Sequence, residues 1–275
     1  MNNKIRMIII LIAVCGIVAA SVMLFSTLNE YKKGVEEYEG LKSYTTIENN
    51  VKDDSIETDI KNNTVEEEQE KREFKRNFNR DDYPEMEIDH SGLRKVNGDY
   101  IGWIYVGAAD ISYPVVQGKD NEYYLHNTFE KEANFAGCIF IDCEDKADMT
   151  MYNTFFYGHA MKNGTMFGNL RKLRKDPGLV KNDPYIYVYL EDGIYRYRIY
   201  SYYIDNKDSE MYYSSDTVKE YRRYIRNALD KSMAQCEEIP DEERNSVTLV
   251  TCQGNGSQKQ RFFVHGIFID RYLYE

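Results

Sequence analysis

Eight short runs of apolar, β-branched and aromatic residues, set apart by turn signals, limit what this chain can fold into more than any other feature. They cover residues 101–106, 111–117, 137–141, 153–157, 185–190, 194–204, 247–252 and 261–270. Each has the length and composition of a β-strand. The fifth and sixth are joined through Asp192-Gly193, a strong hairpin signal. Pro114, inside the second, predicts an edge position or a bulge, because proline cannot donate to a ladder. The 25 tyrosines, concentrated in alternating runs, favour the same β-rich body. Only two helices interrupt it. Residues 88–96 predict a short one, stopped by Asn97-Gly98 soon after the folded part begins near Tyr83. Residues 216–231 predict a longer one, with Val218, Tyr221, Ile225, Ala228 and Leu229 on one face and a Thr217–Glu220 capping box. Eight strands with few helices predict a mainly β fold, a closed barrel rather than a layered α/β sheet.

Upstream of this body the chain changes character. Residues 7–25 contain no charge over nineteen positions, enough to cross a bilayer as a helix. Lys4 and Arg6 precede the run and place the N-terminus in the cytoplasm. Ala19-Ala20-Ser21 offers the competing reading of a cleaved signal peptide. The apolar run continues past it to Phe25, which favours an uncleaved anchor, and either way the body is exported. The expected divisions are a cytoplasmic tip and transmembrane anchor over 1–27, an acidic extracellular stalk over 28–80, and a folded domain over 81–275. Residues 64–76 in the stalk are expected to be helical, and 43–63 are equally well read as disordered. The net charge of −11 is concentrated there: residues 48–73 hold ten acidic and four basic side chains. Without a basic face, a nucleic-acid partner is not expected.

The chemistry centres on the two terminal runs. Cys252 ends one strand and Arg261 begins the next, across the Gly- and Asn-rich loop 253–260. A thiol at a strand end is placed for exposure, and a guanidinium beside it stabilises negative charge. The other cysteines, Cys15, Cys138, Cys143 and Cys236, give neither a disulfide framework nor a C-x-x-C zinc pattern. No calcium loop is visible either, so no metal or cofactor is expected. A reactive thiol calls for a histidine. His90 lies in the entry segment and reads as a surface residue, and His126 sits in a polar context. His159 ends the run NTFFYGH, at a strand end as Cys252 is. His265 shares the face of Arg261 but stands four strand residues away, roughly 13 Å. His159 is the favoured partner, with His265 still open.

The segments YPVVQGKDNEYYLHNTF (113–129), NTFFYGHAMKNGTMFGNL (153–170) and TLVTC followed by Arg261 and VHG resemble sortases, the cell-wall transpeptidases of Gram-positive bacteria, and class B most closely. The likeness spans roughly residues 85–275, and the 216–231 helix falls where class B carries its extra one. The resemblance implies an eight-stranded sortase-type barrel with N-terminal helices and a long helix between two late strands. It also implies Cys252 as nucleophile, His159 as general acid and base, and Arg261 as electrostatic stabiliser. Asn121 and Leu125 match positions that line the substrate groove, and Tyr212 and Tyr213 match a further pair. The implied substrate is the sorting-signal peptide of a secreted surface protein, of NPxTN or PxTG type, cleaved after Thr and passed to a peptidoglycan amine.

Two positions depart from the family. Val250 stands where many class B members have Ser, and Gln253 stands where an acidic residue is common. Both touch substrate in the family, so they bear on signal preference rather than on the reaction. A pilin lysine as acceptor is the rival enzyme reading. A tethered, non-catalytic peptide-binding module is the non-enzymatic one, and it has no need for Cys252, His159 and Arg261 together.

Overall fold

The computed structural model describes residues 3–47, 79–212, 215–233, 244–252 and 259–274, with Cys252 described by its backbone alone. The helix expected at 64–76 lies outside these residues, as do Cys236, Tyr213 and Gln253. Helix α1 (Asn3–Leu41) leads to β1 (Thr45–Ile47), which pairs antiparallel with β2 (Met86–Ile88). Then follow α2 (His90–Val96), β3 (Tyr100–Val106), β4 (Ile111–Val116), α3 (Tyr123–His126), β5 (Ile139–Ile141) and β6 (Asn153–Tyr157). The chain goes on through α4 (Arg171–Lys175), α5 (Gly178–Asn182), β7 (Tyr185–Leu190), β8 (Gly193–Asn206), α6 (Val218–Asp230), β9 (Ser246–Cys252) and β10 (Gln260–Leu273).

Strands β3 to β10 close into one barrel in the order β10-β8-β7-β3-β4-β5-β6-β9. Closure removes the open edges that a sheet of this size would otherwise leave. Two of the ladders, β4–β5 and β6–β9, are parallel, and the rest are antiparallel. Pro114 lies within the closed sheet rather than at an edge, opposite Trp103 on β3. The β4–β5 ladder covers only Val115 and Val116, so Pro114 stands just before the stretch that pairs with β5.

Side-chain alternation divides the strands between two cores. Val247 and Leu249 of β9 pack with Phe156, Trp103 and Tyr197 in the main core. Val250, Phe263 and Phe155, on the opposite face, pack under α6. That helix begins at the expected capping box: Glu220 N–H donates to Thr217 Oγ1 at 3.2 Å, and Thr217 N–H donates to Glu220 Oε2 at 3.2 Å. It buries Tyr221, Tyr224, Ile225 and Ala228, and Ile225 alone contributes roughly 1.5–3 kcal/mol. Val218, expected on that face, stays exposed. One turn further on, Tyr221 and Tyr224 meet the sheet first.

The first part of α1 carries apolar side chains exposed on every side, from Ile9 to Leu28. It is long and apolar enough to cross a membrane. The helix does not stop there. It runs on to Leu41, and Tyr38 and Leu41 are buried against the body.

The far rim of the barrel is closed by a buried ion pair. Arg196 Nε donates to Asp270 Oδ1 at 2.8 Å, and Tyr83 Oη donates to the same oxygen at 2.8 Å. The Arg196 guanidinium also lies over the Tyr83 ring, 4.9 Å from its centroid. Removing one partner leaves a buried charge uncompensated. Asp270→Ala is therefore expected to lower unfolding free energy by roughly 3–5 kcal/mol in urea titrations. A change within 0.5 kcal/mol would mean that the pair is no better than a surface one.

Candidate active site

Three strand ends meet on one rim of the barrel, because β9 lies between β6 and β10. On the β10 side, Cys252 is the direct register partner of Arg261. On the β6 side the ladder is parallel, with Tyr157 opposite Val250. The Gly158 N–H prolongs it by donating to the Val250 carbonyl at 3.3 Å. The same register carried two residues on sets position 159 level with position 252. Paired positions share a sheet face, so 159, 252 and 261 belong with Phe155, Val250 and Phe263 on the side that α6 covers further along.

His159 is half-buried, and its Nε2 lies 2.8 Å from the Leu125 carbonyl oxygen. A carbonyl can only accept, so Nε2 carries the proton and the neutral ring keeps its lone pair on Nδ1. Burial holds the His159 pKa below the usual histidine range. The Leu125 carbonyl pulls the other way, and the charges of His126 and Arg261 add to the lowering. A neutral ring held this way has Nδ1 as its proton acceptor. Arg261 is half-buried and donates from Nη1 to the Gln260 carbonyl at 3.1 Å.

An aromatic floor extends from these strand ends. The Tyr157 ring stacks with Tyr212 at 6.5 Å and 18°, and Tyr212 meets the Phe263 ring edge-on at 5.2 Å. Val250, between them on β9, is buried. Apolar walls with a few convergent polar groups are what peptide and small-molecule sites generally offer. Asn121 does not stand free beside the floor. Its Nδ2 donates to Asp142 Oδ2 at 3.0 Å, and its Oδ1 accepts from the Cys143 N–H at 2.9 Å. Tyr157 Oη donates to that same Asp142 oxygen at 3.0 Å.

The structure thus groups His159, Arg261, Leu125, Tyr212 and Val250 around the end of β9, and ties Asn121 to their margin. Tyr213, Gln253 and the Cys252 side chain lie outside the described residues. Sequence reading missed Tyr157 and Asp142. Tyr157 was within reach, because two residues before His159 in a strand it must share its face. Asp142 and the Leu125 carbonyl carried no local signal, since both act through contacts set by the fold. Among the described residues, no group of three or more His, Cys, Asp or Glu side chains could hold a metal ion.

Comparison with known proteins agrees with this fold. Residues 104–268 match the model of the sortase domain. Sortase B of Listeria monocytogenes is 30% identical over 183 residues, which cover 65% of this chain and 73% of the relative. The crystal structure of Clostridium perfringens sortase B superposes with a TM-score of 0.62 at 33% identity, covering 66% of this chain and all of that one. A Staphylococcus aureus sortase B–substrate complex superposes with a TM-score of 0.61 at 26% identity, covering 66% of this chain and 84% of the other. The family match and the shared barrel therefore define a cysteine transpeptidase of the cell wall, of the kind that acts on a sorting signal and an amine. The chain belongs to the sortase family, in its class B branch.

The second candidate histidine has a different environment on the same face. His265 is fully buried. Its Nδ1 meets Thr248 Oγ1 at 2.9 Å and Tyr224 Oη at 3.3 Å, and its Nε2 meets Tyr203 Oη at 2.9 Å. Hydroxyls serve both nitrogens of a neutral ring, and none offers a compensating negative charge. Burial pushes its pKa down to about 3. The unfolded chain takes up this proton below about 6.5 and the folded one only below about 3, so stability is lost as pH falls through that window. The slope attributable to this group is roughly 1.4 kcal/mol per pH unit. His265→Gln is expected to flatten the stability profile there by about one proton while transpeptidation survives. Loss of turnover with an unchanged acid profile would assign His265 to the chemistry instead.

Proposed function

We propose that this chain is a membrane-anchored transpeptidase that cleaves an NPxTN- or PxTG-like sorting signal after Thr and joins the secreted surface protein to a peptidoglycan amine. In this reading residues 1–27 form the cytoplasmic tip and span, 28–80 the extracellular stalk, and 81–275 the catalytic domain outside the cell. What carries it is the order of three adjacent strands, with His159, Cys252 and Arg261 at the ends of β6, β9 and β10.

The steps follow from those positions. The Cys252 thiol passes its proton to neutral His159 as sulfur attacks the Thr carbonyl carbon. Negative charge gathers on the carbonyl oxygen, and Arg261 stabilises it with a cation that stays charged and has several donors. Collapse of this intermediate breaks the C–N bond, and the imidazolium gives its proton to the departing amine. A thioester on Cys252 remains. The incoming amine then attacks it, loses a proton to His159 and releases the thiol. Tyr212, Tyr213, Val250, Gln253, Asn121 and Leu125 line the path of the signal peptide. Tyr212 and Val250 offer apolar surface to it. Asn121, with both ends of its amide engaged, shapes the margin.

The test uses the full-length chain in detergent micelles with NPxTN- and PxTG-type peptides, with and without a glycine oligomer or a lysine peptide. Mass spectrometry is expected to show cleavage after Thr, an acyl adduct on Cys252, and a new amide with the glycine amine. Cys252→Ala should abolish all three while the chain stays folded. Preference for the lysine peptide would replace the wall acceptor by a pilin. Cleavage by the Cys252→Ala variant would remove the thiol mechanism altogether.

A further inference from the structure

The helix that carries the apolar N-terminal run continues past it and grips the body beside the candidate active site. Its last turns lie along residues 126–137, the segment between α3 and β5. Glu30 accepts the Phe135 N–H through its carboxylate at 2.9 Å, and its own carbonyl accepts Asn134 Nδ2 at 3.0 Å. The Tyr31 ring meets Phe135 edge-on at 4.5 Å. Gly34 lets the helix approach closely, since a Cβ there would come within 3.3 Å of the Asn134 amide. Glu37 accepts the Glu130 N–H at 2.9 Å, and Tyr38 Oη donates to the Gly137 carbonyl at 2.6 Å. Four side chains of one helix thus take hold of one segment, largely through its backbone.

Two short paths lead from Tyr38 to His159. Gly137 has a positive φ of 59°, and a Cβ on it would lie 2.5 Å from the Tyr124 carbonyl oxygen and 2.9 Å from that of Leu125. The backbone that Tyr38 holds is therefore packed on the very carbonyl that accepts from His159 Nε2. The Cys138 N–H fixes the same turn by donating to the Tyr124 carbonyl at 2.9 Å. On the other path, the Tyr38 ring packs edge-on against Tyr113 at 5.5 Å, and Tyr113 Oη accepts the Met166 N–H at 3.0 Å. Met166 is bridged to Ala160, and the Phe167 N–H donates to the His159 carbonyl at 3.0 Å. One path fixes the acceptor of the imidazole and the other fixes the backbone that bears it.

We propose that Tyr38, on the continuation of the N-terminal apolar helix, is a positioning residue for His159, so that the anchor helix is a working part of the active site. The inference rests on the reading of His159 as the proton-transfer group. The Tyr38 hydroxyl keeps Gly137, and through it the Leu125 carbonyl, where Nε2–H can donate. Without that acceptor the ring loses its fixed tautomer and the bond that favours its protonated form. Among the described residues, the charged groups that act on the ring are His126 and Arg261, and both disfavour the imidazolium. Weakening the carbonyl contact therefore moves the histidine limb of the rate profile to lower pH. Substrate contacts made by the aromatic floor are left in place.

The experiment measures kcat and KM against pH for the full-length chain in detergent micelles, as wild type, Tyr38→Phe and Tyr38→Ala, with His159→Ala alongside. Tyr38→Phe keeps the ring against Tyr113 and removes only the hydroxyl. It is expected to lower kcat about five- to tenfold at unchanged KM, with the histidine limb displaced to lower pH and Tm nearly unchanged. Tyr38→Ala should lose more, as both paths are cut. Wild-type kcat and an unmoved limb in Tyr38→Phe, with His159→Ala inactive, would overturn the role of Tyr38 and leave that of His159 standing. A fall in kcat with an unmoved limb would reduce Tyr38 to a packing residue and overturn the proposal as well. Turnover by His159→Ala would remove both.

Discussion

Everything at the candidate site depends on the backbone ladder that holds β9 between β6 and β10. Strand β9 pairs in parallel with one neighbour and antiparallel with the other. A strand bonded on both sides cannot slip by one residue without turning every side chain to the wrong face. Here a slip would take Leu249 and Val247 out of the main core and Val250 out of the core under α6. Two hydrophobic cores thus fix the register from opposite faces. That register decides what stands beside Cys252.

Polarity along the shared face is graded. Next to Cys252 the face is half-open, with His159 and Arg261 both partly exposed. Further along, α6 closes over it and a hydroxyl network takes the place of solvent around His265. Thr248 Oγ1 joins that network to Asn153 Oδ1 at 2.9 Å, and Asn153 Nδ2 donates to Tyr224 Oη at 3.2 Å. Two histidines on one sheet face therefore differ in their surroundings. One is half-open with its Nε2 on a backbone carbonyl, and the other has both nitrogens bound in a sealed network.

Much of this was legible in the chain itself. Turn signals and β-branched runs located the eight barrel strands, because turn chemistry and alternation are local. The capping box of α6 was legible for the same reason. His159 was preferred to His265 by counting strand residues, and the fold sets His159 at the half-open end of the face and His265 in its sealed part. What escaped was set by tertiary contact. Asn121 was matched to the substrate groove by resemblance alone, and the bonds of its amide to Asp142 and the Cys143 N–H left no local signal. Residues 30–41 read as part of a polar stalk, since Glu30 and Glu37 look solvated until their backbone partners at Phe135 and Glu130 are known. The short β1–β2 pair was invisible, as three residues on each side give no periodicity to read.

The most direct test of the strand-end account is the pH dependence of Cys252 alkylation, followed by peptide mass spectrometry in wild type and Arg261→Gln. If the β9–β10 register sets the guanidinium beside the thiol, removing its charge raises the thiol pKa and slows alkylation at neutral pH. The account predicts a profile displaced to higher pH in the variant. Superimposable profiles would mean that Arg261 and Cys252 do not share a site.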